Sequence, residues 1–199
     1  MPEDFAARLV HDLRATTVAE AVAVVLGLAY VLLAARGSRW CWPVGAAGSV
    51  LLAWLAYRAR LPMQALLNAW YVVMSVYGWM QWSREENAAI RTWAWWKHLV
   101  GIVLALGAAV LLAPWLASVD AAWPRLDAAT TLLSLLATWL VARRVLENWL
   151  YWIAIDAVLA FLFAAQGLAF VALQFVVYLV IAISGFVTWT RIWRAQVRR

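Results

Sequence analysis

The sequence has little charge and almost no cysteine. Of its 199 residues only 13% are charged, whereas about 25% is usual in a soluble domain. There is one cysteine, Cys41, so the chain can form no intrachain disulfide and no cysteine metal cluster. This composition argues against a soluble domain.

Motifs of catalytic and ATP-driven proteins are also missing. The sequence has no glycine-rich loop with a lysine for nucleotide phosphates. It has no cluster of histidine, cysteine and carboxylate side chains and no nucleophile triad. We therefore predict that the protein is not an enzyme and has no catalytic residues, metal site or cofactor.

Hydrophobic residues make up 67% of the chain, which contains 16 tryptophans. Several apolar segments are 18–21 residues long, which is near the length that crosses a bilayer as a helix. We predict an all-α polytopic membrane protein with seven transmembrane helices, an amphipathic N-terminal segment (1–15) and a basic tail (191–199). The seven apolar segments lie at about residues 16–35, 40–57, 62–82, 97–117, 128–142, 147–165 and 168–190.

Lysine and arginine are distributed unequally between the two sides of these segments. Along the alternating loops, five fall on one side and eleven on the other. Because short cytoplasmic loops carry the excess of positive charge, we predict a bacterial inner-membrane protein with its N-terminus outside and its C-terminus in the cytoplasm. The net charge of +6 then meets anionic lipid of the bilayer, and no nucleic-acid partner is predicted.

The third and seventh segments share a pattern at a fixed offset of 107 residues. The matched pairs are Tyr71 and Tyr178, Gly78 and Gly185, and Trp82 and Trp189; the same offset pairs Arg36 with Arg143, just before the second and sixth segments. Four spans separate the two segments, so both run in the same direction. We predict a 3+1+3 arrangement, with repeats at 16–82 and 128–190 and a linking helix at 97–117. Parallel repeats with a site at their interface are typical of transporters; chance similarity among aromatic-rich helices is the alternative.

The sixth segment carries a polar stripe in an apolar run. Asn148, Trp152 and Asp156 stand at positions i, i+4 and i+8, so they share one helix face, and Trp149 borders it. An aspartate within a span costs about 2.5–3.5 kcal/mol on insertion scales, which favours a functional role. Indole faces and a carboxylate together suit a flat organic cation. We predict that these four residues bind the substrate.

Each of these residues also has a structural explanation. Trp149 can anchor the helix at the membrane interface, Asn148 can cap it, and Asp156 can hydrogen-bond a neighbouring helix. Gly78 and Gly185 either allow close packing or act as hinges. Five further polar residues are predicted to line the pathway, with helix–helix hydrogen bonding as the alternative; they are Asn68, Tyr71, Gln81, Gln174 and Tyr178.

Several motifs taken together resemble the PnuC family of nicotinamide riboside transporters. They are Glu147-Asn148-Trp149-x2-Trp152-x3-Asp156 followed by Gln166-Gly167, Tyr77-Gly78-Trp79-x-Gln81-Trp82, and Glu20-Ala21-Val22. The resemblance runs from about residue 18 to Trp193. It implies a fold related to the SWEET sugar transporters, seven spans per protomer and a homotrimer. It also implies facilitated diffusion, in which cytosolic phosphorylation retains the vitamin in the cell.

The resemblance leaves the substrate open. Relatives that carry nicotinamide riboside often have asparagine at the position of Asp156, and other relatives carry thiamine or riboflavin. A carboxylate favours the two cations, nicotinamide riboside and thiamine, over neutral riboflavin. We predict a nicotinamide riboside transporter, with thiamine as the alternative and riboflavin less favoured. A rival of another class is a vitamin-binding subunit of an ATP-driven importer, which would usually have six spans and no 107-residue repeat.

Overall fold

The computed structural model describes residues 9, 11–12, 16–58, 62–84, 89–118 and 123–198. Most of the predicted amphipathic segment 1–15 lies outside these residues. Within them the elements are seven α-helices. The helices are α1 (Val18–Ala35), α2 (Cys41–Arg58), α3 (Pro62–Trp82), α4 (Trp95–Ser118), α5 (Pro124–Ala142), α6 (Asn148–Ala165) and α7 (Ala169–Val197).

Five of these helices, α1 and α4 to α7, are long and apolar enough to cross a membrane. The outer surface of α4 exposes large apolar side chains, among them Leu104, Val110 and Leu111. A helix with such a surface is stable where lipid rather than water surrounds it. The chain is therefore an all-helical, multi-pass membrane protein.

Local sequence signals fix where the helices begin and end. At α1 the Thr17 N–H donates to the Glu20 carboxylate at 2.7 Å, and the Glu20 N–H donates to Thr17 Oγ1 at 3.3 Å. This capping box gives Glu20 a structural role. Helix α5 begins at Pro124, ahead of the apolar segment 128–142, because proline is compatible with the first helical position. Helix α7 continues beyond residue 190 to Val197, so most of the basic tail is helical.

The helices pack as two groups of three, the first triple (α1–α3) and the second triple (α5–α7). In the first triple α1 contacts α2 and α2 contacts α3; in the second, α5 contacts α6 and α6 contacts α7. The triples meet where α1 packs on α7 and where α3 packs on α5. The first helix of each triple therefore contacts the third helix of the other. Helix α4 packs against α5.

The segment before α4 is held by the turn between α5 and α6. The Arg91 N–H donates to the Arg144 carbonyl at 2.9 Å, and the Leu146 N–H donates to the Arg91 carbonyl at 2.8 Å. The Trp93 N–H donates to the Glu147 carboxylate at 3.3 Å. These bonds join the beginning of α4 to the beginning of α6, at the end of the molecule where the basic loops lie.

Candidate functional site

A cavity of about 390 Å³ lies between the two triples, within the range of about 300–1,000 Å³ that is usual for small-molecule sites. Helices α1, α2, α3, α5, α6 and α7 line it, and no described residue of α4 does. Gln64 and Asp127, near the beginnings of α3 and α5, mark one end. Trp42 and Trp149, in the first turns of α2 and α6, mark the other. The cavity therefore follows the helices for most of their length.

The cavity side of α6 is an aromatic and acidic stripe. Trp149, Trp152 and Asp156 line the cavity, and Leu159 and Phe163 continue the line. Asp156 is 4% exposed, and its carboxylate has no hydrogen-bond or ion-pair partner among the described residues. The structure thus brings three of the four predicted binding residues together, with a buried carboxylate that a cationic ligand can pair with.

Asn148 lies outside the cavity lining, although the sequence pattern places it on the face of Trp152 and Asp156. Its side chain is 0% exposed, and its Nδ2–H donates to the Val145 carbonyl at 2.7 Å. Eight residues of a helix with 3.6 residues per turn leave a rotation of about 80°, so Asn148 points away from the stripe that Asp156 belongs to. Seven residues leave only about 20°, so Trp149 falls on it. Here Asn148 holds the turn before α6, and its contact with a ligand stays a prediction.

Of the five polar residues of α3 and α7 that are predicted to line the pathway, four line the cavity and one does not. Asn68, Tyr71, Gln174 and Tyr178 all line the cavity. The Gln174 Nε2–H donates to the Tyr178 hydroxyl at 2.9 Å, while the Asn68 amide donates to a backbone carbonyl of its own helix at 2.8 Å. Gln81, in the last turn of α3, is outside the lining. Ligand contacts of all five remain predictions.

A row of hydroxyl groups on α5 also lines the cavity and was not predicted from the sequence. Thr130, Ser134 and Thr138 are buried and line the cavity. Their regular spacing of four residues within an apolar run was the signal that identifies such a face. The other polar lining residues that the sequence analysis did not single out are Tyr30, Ser49, Gln64, Ser75, Asp127 and Thr131.

The charge of the lining is negative. Asp127 and Asp156 are both part of it, and no described lysine, arginine or histidine is. Asp127 is exposed near the beginning of α5, whereas Asp156 is buried further along the cavity. A cleft of one charge sign raises the local concentration of ligands of the opposite sign. The lining therefore attracts cations and repels anions.

Four buried tryptophans, which we call the tryptophan layer, lie at the end of the cavity where α2 and α6 begin: Trp42, Trp82, Trp149 and Trp189. Their rings touch in series, with centroid distances of 5.5 Å for Trp42–Trp82, 5.9 Å for Trp82–Trp189 and 5.6 Å for Trp149–Trp189. The outer pair packs on two glycines, Trp42 on Gly78 and Trp149 on Gly185, where a Cβ would overlap the indole. Both glycines therefore serve ring packing.

The tryptophan layer also joins the triples through hydrogen bonds. The Trp82 Nε1–H donates to the carbonyls of Val141 and Ala142 of α5 at 3.3 and 3.1 Å. The Trp189 Nε1–H donates to the Ala34 carbonyl of α1 at 3.1 Å. Trp82 and Trp189 are 107 positions apart, and so are Ala34 and Val141. Each triple therefore uses an equivalent indole to bind the end of the other triple's first helix.

The turns after α1 and α5 match as well. Gly37 has φ 70° and Arg144, 107 positions later, has φ 53°. This left-handed region favours glycine, so an arginine there needs a compensating contact. The Arg144 guanidinium lies 4.0 Å from the centroid of the Trp82 ring, a cation–π contact. Burial lowers the pKa of Arg144, and arginine stays charged at neutral pH.

Comparison with known proteins supports the family resemblance that the sequence motifs indicate. A family model described as "Nicotinamide mononucleotide transporter" matches residues 17–191. The chain is 26% identical over 203 residues to the nicotinamide riboside transporter PnuC of Escherichia coli, with 85% of this chain and 84% of that protein covered. It is 28% identical over 174 residues to the riboflavin/roseoflavin transporter RibM of Streptomyces davaonensis, with 83% and 81% covered.

The fold is similar to that of a solved transporter. A crystal structure of the vitamin B3 transporter PnuC superposes with a TM-score of 0.75 at 21% sequence identity, covering 97% of this chain and 89% of the other. The likeness therefore extends to the arrangement of the helices around the cavity. With a family match over nearly its whole length and this fold, the chain belongs to the PnuC family of membrane transporters.

Proposed function

We propose that this PnuC-family transporter carries nicotinamide riboside into the cell. The observation that carries the proposal is the stripe of Trp152 and Asp156 in a cavity without a described basic lining residue. Nicotinamide riboside has a flat pyridinium ring with a positive charge. An indole face suits the ring, and the buried carboxylate gains a counter-charge from it.

A phosphorylated ligand fits this cavity poorly. The phosphate of nicotinamide mononucleotide requires basic side chains or a helix N-terminus aimed at it. The charged groups of the lining are instead the carboxylates of Asp127 and Asp156. The unphosphorylated riboside is therefore favoured over the mononucleotide.

Thiamine and riboflavin are the alternative substrates. Thiamine is also an aromatic cation, so the charge argument applies to it equally. The similarity to RibM, whose name gives riboflavin and roseoflavin as its substrates, is as high as the similarity to PnuC. Riboflavin is neutral, however, and would leave the buried carboxylate of Asp156 without a counter-charge. We therefore rank riboflavin below the two cations.

We infer a 3+1+3 architecture in which all seven helices cross the membrane and α4 links the two triples. The matched hydrogen bonds of Trp82 and Trp189 support it, as do the matched turns at Gly37 and Arg144. The excess of basic residues beside the tryptophan layer supports a bacterial inner-membrane protein with this end, and the C-terminus, in the cytoplasm. The homotrimer is proposed from the family resemblance.

Transport is proposed to be facilitated diffusion with alternating access. The substrate enters past Asp127, binds beside Trp152 and Asp156, and leaves when the tryptophan layer parts. Phosphorylation in the cytosol then prevents its return. The 107-residue repeat favours this mechanism over a vitamin-binding subunit of an ATP-driven importer, which would usually have six spans and no such repeat.

Purified protein in liposomes tests the proposal. We expect counterflow of labelled nicotinamide riboside without sodium, a pH gradient or ATP, and competition by thiamine more than by riboflavin. Protein-free liposomes and liposomes with Asp156→Ala are the controls. Uptake that requires an ion gradient or an ATP-driven partner would contradict facilitated diffusion. Preferential uptake of riboflavin would contradict the assignment of the substrate.

A further inference from the structure

The row of hydroxyl groups on α5, Thr130, Ser134 and Thr138, is here called the α5 hydroxyl stripe. Each hydroxyl donates to a carbonyl one turn earlier in its own helix, at 2.8 Å for Thr130, 2.7 Å for Ser134 and 2.8 Å for Thr138. Such bonds satisfy the donor but leave lone pairs on the oxygen. Because the three residues also line the cavity, the stripe presents hydrogen-bond acceptors to a ligand.

The members of the stripe differ in their surroundings. Ser134 lies near enough to Tyr71 of α3, the helix that packs on α5, for an electrostatic interaction between the two hydroxyl groups. Thr130 and Thr138 make no further side-chain contact of this kind among the described residues. The hydroxyl oxygens of these two threonines can therefore still accept a hydrogen bond from a ligand.

The fold does not need hydroxyl groups at these positions. The residues 107 positions earlier in α1 are Ala23, Gly27 and Val31. They line the same cavity from the opposite triple, and α1 packs on α2 and α7 as α5 packs on α6 and α3. Helix α5 also contacts α4, but no described residue of α4 lines the cavity. At the equivalent positions of α1, small and apolar side chains thus form the cavity wall without hydroxyl groups, which supports a role for the α5 hydroxyls other than helix packing.

The α5 hydroxyl stripe lies level with the binding stripe of α6. Thr138 is four residues before the end of α5, and Trp152 is four residues after the beginning of α6; Ser134 and Asp156 are each eight residues away. At about 1.5 Å per residue, these pairs lie about 6 and 12 Å from the turn between the helices. Since α5 and α6 are in contact, one small ligand can touch both stripes.

We propose that the α5 hydroxyl stripe binds the sugar of the substrate by accepting hydrogen bonds from its hydroxyl groups, while the charged ring lies against Trp152 and Asp156. This rests on the proposed function and narrows it to a class of ligand, a ribosylated aromatic cation. Thiamine, with a single hydroxyl on a short chain, uses the α6 stripe without filling the α5 stripe. Riboflavin has the hydroxyls without the charge. Nicotinamide riboside has both.

The experiment compares nicotinamide riboside with 1-methylnicotinamide, which has the same cationic ring and no sugar. Competition binding on purified protein gives the affinity ratio of the two ligands for wild type, Thr138→Val, and the double variant Thr130→Val/Thr138→Val. Valine keeps the shape of threonine and removes the oxygen. We expect nicotinamide riboside to bind wild type more tightly, and each substitution to weaken it roughly three- to tenfold, with 1-methylnicotinamide changed less than twofold.

Thr190→Val on α7 is the matched control. Its hydroxyl also donates to a carbonyl one turn earlier, at 2.7 Å, but the residue is outside the cavity lining. We expect the affinity ratio to stay at its wild-type value. Retained binding of 1-methylnicotinamide shows that the α5 variants are folded.

An equal loss of affinity for both ligands, or no loss for either, would overturn the role of the stripe. In both cases the proposed function would stand, because wild type would still bind nicotinamide riboside. A wild-type protein that binds 1-methylnicotinamide as tightly as nicotinamide riboside would also overturn the role of the stripe, whereas a wild-type protein that does not bind nicotinamide riboside would overturn the proposed function.

Discussion

Asp156 is a buried carboxylate with no hydrogen bond or ion pair among the described residues, although it lies near the Tyr178 hydroxyl. The residue 107 positions earlier, Ser49, lines the same cavity from the first triple and carries no charge. Helix packing at the equivalent position of α2 therefore does not require a carboxylate. Its cost in a membrane, about 2.5–3.5 kcal/mol on insertion scales, supports the proposal that a cationic ligand pairs with it. We therefore propose that this carboxylate contributes to substrate choice.

We expect Asp156→Ala and Trp152→Ala each to weaken nicotinamide riboside binding by about 1–3 kcal/mol, because each removes one of the two groups proposed to contact the charged ring. Calorimetry on purified protein measures the change. Ser49→Ala is the control from the equivalent wall and should have a smaller effect, since it removes no charge. If Asp156→Ala binds the riboside as wild type does, the carboxylate has a structural role only.

At the scale of the helix, Gly78 of α3 and Gly185 of α7 determine how closely a tryptophan ring packs on each helix. A Cβ at Gly185 would lie 2.8 Å from atoms of the Trp149 ring, and a Cβ at Gly78 would overlap Trp42. Trp149 is fully packed, against Trp189 on one side and Gly185 on another. A shift of either helix would therefore move a ring that lines the cavity.

Gly185→Ala is expected to destabilise the protein by about 1–3 kcal/mol through overpacking and to weaken substrate binding by displacing Trp149. The midpoint of thermal unfolding in detergent measures the first effect. Gly107→Ala is the control, because this glycine lies within α4 and has no neighbour within 4 Å of an added Cβ. It should be neutral or stabilising by up to about 1 kcal/mol. Equal effects of the two substitutions would show that helix propensity, not ring packing, explains Gly185.

At the scale of the whole molecule, the two triples are joined at one end of the cavity by the tryptophan layer. The indole N–H groups of Trp82 and Trp189 each cross from one triple to the other. We propose that opening the cavity toward the proposed cytoplasmic side breaks these bonds. Cys41, beside this layer, is the single cysteine of the chain and is 0% exposed, so it reports such an opening.

We expect Trp189→Phe to increase the rate of maleimide labelling of Cys41 in purified protein. Phenylalanine keeps an aromatic ring but cannot donate to the Ala34 carbonyl, and loss of a neutral hydrogen bond of about 0.5–1.5 kcal/mol raises the open population roughly two- to tenfold. Cys41→Ser gives the background. Unchanged labelling in both Trp189→Phe and Trp82→Phe would show that the layer does not hold this end closed.

The sequence by itself determined that the chain is a helical membrane protein, because apolar runs of span length leave no other way to satisfy the backbone in lipid. It also located Trp152 and Asp156, since a charge and an indole one turn apart in such a run are costly enough to stand out. Only the tertiary structure decided which face of α6 meets the cavity. A spacing of eight residues drifts by about 80° on a helix, and the cavity lies on the side of Trp149, Trp152 and Asp156 and not on that of Asn148. The α5 hydroxyl stripe was likewise identified only from the tertiary structure. A hydroxyl that bonds to its own helix can face lipid, a neighbouring helix or a ligand, and the sequence does not distinguish these cases.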